Sequence, residues 1–423
     1  MIHIPSEEIK QPQLHADTLG FTFVWNGHFL RGIFPQSVEL AKSYFATGFI
    51  DEVIGKGLFP KTWVSEFENE QFGMIIEHDM ITPVLYATEW NSAMLKDAAL
   101  MVLDIAEIGW KYGYNMVDCH KLNVMFKNNQ PVYVDLGSFV HKEKGSTGWR
   151  AYKNFLESYT YILDMWVSGC PQVAKRMMSP GVTFHTDDYW SWKRPIFRHF
   201  PKLLRLRLKF QERLNLFAIM GFEKVASHKV YKVIKSVVNG IKPFVSQQFS
   251  HMHNSICSLR IKGIEAKNSN PHFDINFIAP TSTITCINIG NNLVFSELRK
   301  WGGNVISLNE NDAISNSEYV KNKDITSVSY PLMSGGVLVR GKFAEDRLKS
   351  EIVLACCKNG SHGQFARHNT LVYLERCMEY SFTETMYVLL SKPDESMVDI
   401  LRKKWEIKRI SDDGTLIEVN QTH

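Results

Sequence analysis

No run in this sequence is apolar for long enough to span a bilayer, and no internal repeat or low-complexity tract interrupts it. Membrane-spanning bundles, solenoids and disordered linkers are therefore set aside. Cysteine is sparse: seven in 423 residues, an odd number without regular spacing. That excludes a disulfide framework, and no cysteine pair has the spacing of a zinc ligand set. A dominant charge is missing too. The 48 Lys and Arg nearly cancel the 44 Asp and Glu, leaving +4, too little to imply nucleic acid as a partner. The opening residues Met1-Ile2-His3-Ile4-Pro5-Ser6-Glu7-Glu8 lack a basic region followed by an apolar core. No signal peptide is expected on that ground, and the cytoplasm is the default location.

What the chain does contain is material for folded cores. It is 44% apolar and 12% aromatic, and its length suits two domains of ordinary size. One stretch organises the rest, Asn115 to Ser138 (N-M-V-D-C-H-K-L-N-V-M-F-K-N-N-Q-P-V-Y-V-D-L-G-S). Val124, Met125 and Phe126 read as a short strand, Lys127 to Gln130 as a tight polar turn, and Val132, Tyr133 and Val134 as the returning strand. Such a hairpin brings Asn123, just before the first strand, close to Asp135, just after the second. Asp118 lies on the loop that enters it. Two carboxylates and a carboxamide at one edge are a donor set for Mg²⁺, a hard cation that takes a few oxygen ligands plus substrate phosphates. Asp135 and Asn123 supply such oxygens, and the remaining carboxylate can accept the proton of an attacking hydroxyl. Asp and Asn are also common turn residues, and that simpler reading stands beside the chemical one.

Asp118 and Asn123, separated by four residues and followed about a dozen residues later by Asp135-Leu136-Gly137, resemble the catalytic loop and metal-binding turn of the protein-kinase-like superfamily, which includes aminoglycoside and other small-molecule kinases. The resemblance implies ATP as substrate, Mg as cofactor, Asp118 as catalytic base, and Asn123 and Asp135 as metal ligands. His120 stands where many small-molecule kinases also carry His, with a structural loop role as the simpler reading.

Upstream, residues 18–34 read as a strand pair turning at Asn26-Gly27. A helix from about Ser37, which would cap it, ends near Gly48, and a short helix follows over Ile50–Ile54. Strands are expected at Thr62–Phe67 and Phe72–Glu77. No Gly-rich loop over phosphates is evident here. Arg31 with Glu39 is a candidate ion pair, as a nucleotide clamp or, more simply, as a surface pair. Lys56, between two glycines, is a candidate phosphate contact or a plain loop lysine. Glu77 to Trp90 resembles the hinge where kinases bind adenine, which makes Glu77 and Asp79 candidate nucleotide-binding residues. A helix from about Ala93, capped by Asn91 or Ser92, places Leu95, Ala99, Val102, Ile105 and Ala106 on one face and stops at Gly113. Trp90, Leu95, Lys96, Asp97, Ala98 and Ala99, then Asp118, His120, Asn123, Asp135, Gly137 and Ser138, resemble bacterial two-part proteins that modify sugars, over about residues 25–165.

Residues 148–172 form an aromatic stretch of helical period, read as core. His185-Thr186-Asp187-Asp188 read as a turn rather than a metal site. Residues 193–213 hold eight Lys or Arg against one Glu, interleaved with Ile, Phe and Leu. Such a stretch suits a peripheral contact with an anionic membrane, or equally a solvated helix face. Helix is expected from Lys202, and again over Phe217–Ile241.

Composition changes after Pro243. T-I-T-C-I-N-I-G-N-N, from Thr283, reads as a buried strand into a Gly turn. A helix follows over Leu293–Trp301, then a strand at Val305–Leu308, as in a βαβ unit with a turn able to meet a nucleotide-like ligand. Strands at Glu351–Cys356 and Met386–Leu390 flank a helix over His368–Met378, and a hairpin closes around Asp413-Gly414. An open Rossmann-like sheet ending in an antiparallel hairpin resembles class I SAM-dependent methyltransferases. By that resemblance Gly290 and Asn309 are the cofactor-binding positions. Asn288 and Val294 replace the family's acid and second Gly, and Asn309 replaces the acid that pairs with the ribose hydroxyls, with Glu310 next to it.

The expected architecture is a kinase-like two-lobed α+β domain over residues 1–243, followed by a degenerate methyltransferase-like α/β Rossmann domain over 244–423. The primary expectation is ATP- and Mg-dependent phosphotransfer to a hydroxyl of a saccharide or surface glycan, the acceptor class being what the resemblance to sugar-modifying proteins implies. The alternatives are SAM-dependent methyl transfer in glycan modification, with the kinase-like half positioning substrate, and a scaffold without catalysis.

Overall fold

The computed structural model describes residues 2–10, 17–81, 84–144, 146, 148–193, 245–261, 275–278, 283–287, 298, 304–309, 315–316, 319–320, 326–329, 351–357, 371, 374–375, 378, 383–390 and 393–421. The chain divides into two compact units. The first comprises Met1–Ile81, Leu95–Met125 and Pro131–Arg260, and the second Thr82–Met94, Phe126–Gln130 and Ile261–His423. Helix Val245–Cys257 thus belongs to the first.

In the first unit, β1 (Ile2–His3) runs parallel to β5 (Phe67–Glu68). A four-stranded antiparallel sheet has the order β2-β3-β6-β4, with β2 at Gly20–Trp25, β3 at His28–Ile33, β4 at Thr62–Val64 and β6 at Met74–His78. Asn26 and Gly27 turn β2 into β3 with φ of 47° and 82°, the left-handed pair that a two-residue hairpin needs. Where β2 begins, only glycine fits, because a Cβ on Gly20 would lie 1.8 Å from the Gly32 carbonyl oxygen. Phe21, Phe23, Leu30, Phe67, Phe72 and Ile75 form the core on one side of this sheet.

Helices α1 (Val38–Ala46) and α2 (Phe49–Gly55) follow. Ser37 does not cap α1. A 3-10 turn, Pro35–Ser37, leads into the helix, and the Ser37 hydroxyl donates instead to the Thr18 carbonyl at 2.9 Å. Helix α3 (Ser92–Lys111) starts at Asn91, whose Oδ1 accepts from the Met94 N–H at 2.8 Å. Its expected face, Leu95, Ala99, Val102, Ile105 and Ala106, is buried. Strand β7 (Tyr114–Met116) pairs with β10 (Phe139–His141), and between them lies the hairpin of β8 (Val124–Lys127) and β9 (Gln130–Tyr133). The aromatic stretch forms α4 (Tyr152–Phe155) and α5 (Tyr161–Val167), joined by a π-turn at Leu156–Thr160. Then come α6 (Pro171–Arg176), α7 (Thr186–Lys193) and α8 (Val245–Cys257).

The turn expected at residues 185–188 is instead the start of α7. Glu157 accepts from both the N–H and the hydroxyl of Thr186 at 2.9 Å, and so supplies an acceptor to a helix start. The basic stretch 193–213, apart from Lys193, lies outside the described residues, as does the helix expected over 217–241.

The second unit holds a seven-stranded sheet. Its strands are β11 (Thr283–Ile287), β12 (Asn304–Asn309), β13 (Thr326–Ser329), β14 (Ile352–Cys357), β15 (Thr385–Leu390), β16 (Trp405–Ile410) and β17 (Leu416–Gln421), in the order β13-β12-β11-β14-β15-β17-β16. The pairs among β11 to β15 are all parallel, and β17 runs antiparallel to both of its neighbours. Ile284, Cys286, Leu354, Tyr387 and Leu389 form its core with Val305, Ile352 and Leu416. The near-continuous apolar character of β14 and β15 follows from burial on both faces of a parallel sheet. Helix α9 (Glu395–Arg402), capped by Asp394 through the Met397 N–H, precedes the closing hairpin. This is an open, largely parallel Rossmann-like sheet ended by an antiparallel hairpin. Among the described residues, no helix of the chain is long and apolar enough to cross a membrane.

Candidate functional site

Two asparagines turn the hairpin of β8 and β9. Asn128 and Asn129 adopt φ of 50° and 55°, so the turn has two residues rather than four, and Asn tolerates that conformation better than most. The strands then close with Val134 N–H on the Asn123 carbonyl at 2.9 Å. Asn123 and Asp135 are brought together as expected: the Asn123 amide nitrogen lies 3.3 Å from Asp135 Oδ2. The same nitrogen lies 3.3 Å from both the Tyr133 hydroxyl and Ser138 Oγ.

Asp118 meets them through the backbone. The buried Tyr133 hydroxyl donates to the Asp118 carbonyl at 2.9 Å. The Asp118 carboxylate belongs to a different pair, with Oδ2 2.9 Å from His120 Nε2 and Oδ1 accepting from the His120 N–H at 3.2 Å. Burial would raise the pKa of this carboxyl, but the hydrogen bond and charge of His120 outweigh it and hold it below its usual value. For His120, burial lowers the pKa and the Asp118 carboxylate more than reverses that, leaving the ring more basic than usual. Its Nδ1 is buried and has no partner among the described residues. The neighbouring Cys119 thiol is buried and pushed up by desolvation, which makes it inert. Lys121 is buried, its pKa is pushed down to about 8, and its ammonium reaches the Val182 carbonyl at 3.3 Å.

Two side chains complete the Asp135 centre, and the sequence pattern did not point to either partnership. Arg31, on β3, is 6% exposed and bonds Asp135 Oδ1 through Nη2 at 3.2 Å. Through Nη1 it holds Asp17 Oδ2. The expected Arg31–Glu39 pair is not formed. Glu39 faces Lys42 on the surface at 3.4 Å, while Arg31 points inward to the two aspartates. Asp17 also accepts from the Leu19 N–H at 2.8 Å, an Asx-type turn that fixes its carboxylate. Its one sequence signature is that turn, D-T-L-G before a strand.

The other candidates sit elsewhere. Glu77 lies within β6, between ladders to β3 and β4, and its carboxylate pairs with His28 Nδ1 at 2.6 Å. The Asp79 N–H donates to the Lys61 carbonyl at 2.8 Å. The Glu77 backbone is thus committed to the sheet, and the Asp79 N–H to Lys61. Lys56 pairs with Glu52 at 2.7 Å on the surface. Asn309 is the last residue of β12, in register with Ser329, and Gly290 lies outside the described residues.

Whether the Asp135 centre suits Mg²⁺ is a question of lone pairs. An ionised carboxylate offers about four. Asp135 Oδ1 accepts from Arg31 Nη2 and, at 3.1 Å, from the Gly137 N–H. Oδ2 accepts from Ser138 Oγ and from the Asn123 amide. All four directions are taken, one by a fixed positive charge, so the residues as arranged do not fit a cation there. Among the described residues, no three His, Cys, Asp or Glu side chains are grouped to hold a metal ion.

Comparison of the sequence with protein-family models finds no match, and comparison with curated proteins finds none. Among solved structures, the chain is similar to TrmK of M. capricolum in complex with S-adenosyl-homocysteine, at 14% identity and a TM-score of 0.24, covering 35% of this chain and 65% of that one. It is also similar to a TehB-like SAM-dependent methyltransferase from Corynebacterium glutamicum, at 13% identity and a TM-score of 0.25, covering 43% of this chain and 100% of that one. A likeness of that size adds nothing to the strand order already described.

Proposed function

We propose that this chain is a SAM-dependent methyltransferase acting on a saccharide or surface-glycan hydroxyl, with the second unit holding the cofactor and the first positioning the acceptor. The observation that carries the reading is the reversal in the seven-stranded sheet. From β11 the chain steps outward to β12 and β13, then returns to the other side of β11 at β14. Open parallel sheets bind ligands in the crevice at such a switch point, beyond the carboxyl ends of the strands. Ile287 and Cys357 are the residues at which β11 and β14 end.

SAM supplies an electrophilic methyl group when bound. The chain's task is to hold the nucleoside and bring a hydroxyl to it. Asn309, at the end of β12, has the chemistry to bond ribose hydroxyls, since a carboxamide both accepts and donates. It does so without charge, and charge-assisted bonds are roughly twice as strong. The donor set therefore fits SAM with weakened affinity. The acceptor class rests on the resemblance of residues 25–165 to sugar-modifying bacterial proteins.

ATP- and Mg-dependent phosphotransfer by a kinase-like first unit is the second reading, supported by the 3.3 Å contact of Asn123 with Asp135. The filled lone pairs of Asp135 count against it, and no step is written through a cation.

A thermal-shift titration of the whole chain separates the two. A ligand at 100 times its Kd stabilises the native state by about 2.7 kcal/mol. SAM and S-adenosyl-homocysteine should raise the melting midpoint, and ATP with Mg²⁺ should not. A shift with ATP and Mg²⁺ alone would replace this reading by the second, and no shift with either would leave the scaffold.

A further inference from the structure

We infer that the Asp17–Arg31–Asp135 cluster is a metal-free ionic centre, in which the Arg31 guanidinium does the bridging that a divalent cation would otherwise do between two carboxylates. The inference concerns the first unit and is independent of SAM binding by the second.

Three observations carry it. The guanidinium is buried and each of its terminal nitrogens holds a different carboxylate, Asp17 through Nη1 and Asp135 through Nη2. Those carboxylates come from distant parts of the chain, Arg31 and Asp135 being 104 residues apart, so the bridge ties the segment before β2 to the Asp-Leu-Gly turn. A cation that joins two aspartates makes the same kind of link.

The second observation is the saturation of Asp135. Besides Arg31, it accepts from the Gly137 N–H, Ser138 Oγ and the Asn123 amide. A metal ion needs a lone pair directed at it, and it would also stand beside a like charge on Arg31. Either the guanidinium or the ion occupies the centre.

The third is the use made of Gly137. A Cβ on that residue would fall 2.4 Å from Asp17 Oδ1. Its φ is not in the left-handed region, so backbone conformation does not demand glycine here. The approach of the Asp17 carboxylate does. In this turn the glycine accommodates an anion of the chain itself.

The test is Mn²⁺ binding, read from the loss of the free-ion electron paramagnetic resonance signal with the full-length protein, with and without ATP. The wild type should bind no Mn²⁺ at millimolar ion. One Mn²⁺ per chain, lost in Asp135→Asn, would overturn the inference without any further variant. Arg31→Met supplies the converse, removing the guanidinium and leaving two facing carboxylates. Its melting midpoint should fall, and millimolar Mn²⁺ should restore part of the loss. The added Asp17→Asn substitution should cancel that restoration. Folded Arg31→Met protein, checked by circular dichroism, that takes up no more Mn²⁺ than wild type would show that the guanidinium does not stand in for an ion.

Discussion

In the first unit, Asn123 reaches Asp135 at 3.3 Å while the Asp118 carboxylate pairs with His120, and the four acceptor directions of Asp135 are taken by the protein's own donors. In the second unit the situation is reversed. The strand order reverses between β11 and β14, while Asn309 stands where the resemblance calls for an acid. One region has a motif whose groups are committed, and the other has an architecture whose motif is thinned. A motif states which atoms are present, whereas a site requires that those atoms be free. Bound in four directions, Asp135 is a structural anchor.

The largest expected effect comes from breaking the committed centre. Arg31→Met leaves Asp17 and Asp135 facing each other without a cation, and removing one partner of a buried ion pair costs about 3–5 kcal/mol. Both aspartates are 26% exposed, so solvent relieves some of that repulsion and the lower figure is the better guide. Urea unfolding should show an earlier first transition, while the SAM titration stays unchanged. A loss of SAM response in this variant would mean that the two regions are not separable in the way the comparison requires.

Gly137→Ala attacks the same centre from the backbone side. The added Cβ forces Asp17 out of place, at a cost of about 2 kcal/mol typical of overpacking. In Asp17→Ala the crowding partner is gone, so the double variant should cost less than the sum of the two single ones. An additive cycle would show that Gly137 is needed for some other reason.

Acidity sharpens the comparison within the first unit. His78 is buried against Thr62, with its Nδ1 2.8 Å from the hydroxyl, and burial, aided by the Arg31 charge, pushes its pKa down to about 3. Unfolded, it returns to about 6.5, so below that pH the unfolded chain binds one more proton than the native one. Its contribution to stability is full above about 6.5 and is lost as pH falls towards 3, approaching about 1.4 kcal/mol for each pH unit. His78→Asn should remove that slope from a series of urea midpoints taken between pH 7 and pH 5. A slope that survives the substitution belongs to another group.

How much of this was legible in the sequence depended on the range of the interaction. Local chemistry spoke clearly. Asn26-Gly27 turns a hairpin, Asn91 starts α3, and the face of α3 that repeats at helical period is buried. The positions of four of the five parallel strands are legible from apolar runs between Gly turns. Strand β13 gives no sequence signal, because T-S-V-S has one apolar residue and no alternation. Helix α9 was legible in hindsight, with Asp394 as cap, Glu395 in the first turn and Met397 and Leu401 buried. The Asp17–Arg31–Asp135 cluster was not, because a pairing across 104 residues leaves no periodicity. Closeness in sequence suggests Glu39 as a partner for Arg31, whereas the fold gives it Asp17 and Asp135. Spacing placed Asn123 beside Asp135 but could not report which lone pairs would remain.

The smallest expected effect tests the open region. Asn309→Asp restores a carboxylate at the end of β12, where a neutral amide now stands. A hydrogen bond to a charged acceptor contributes about 1 kcal/mol more than a neutral one, and 1.4 kcal/mol is tenfold in affinity. SAM should therefore bind about fivefold more tightly, read as a lower apparent Kd in the same thermal titration. The same substitution should leave the response to ATP and Mg²⁺ untouched. If the added charge weakens SAM binding instead, the ribose does not approach β12, and the crevice at the switch point is occupied in some other way.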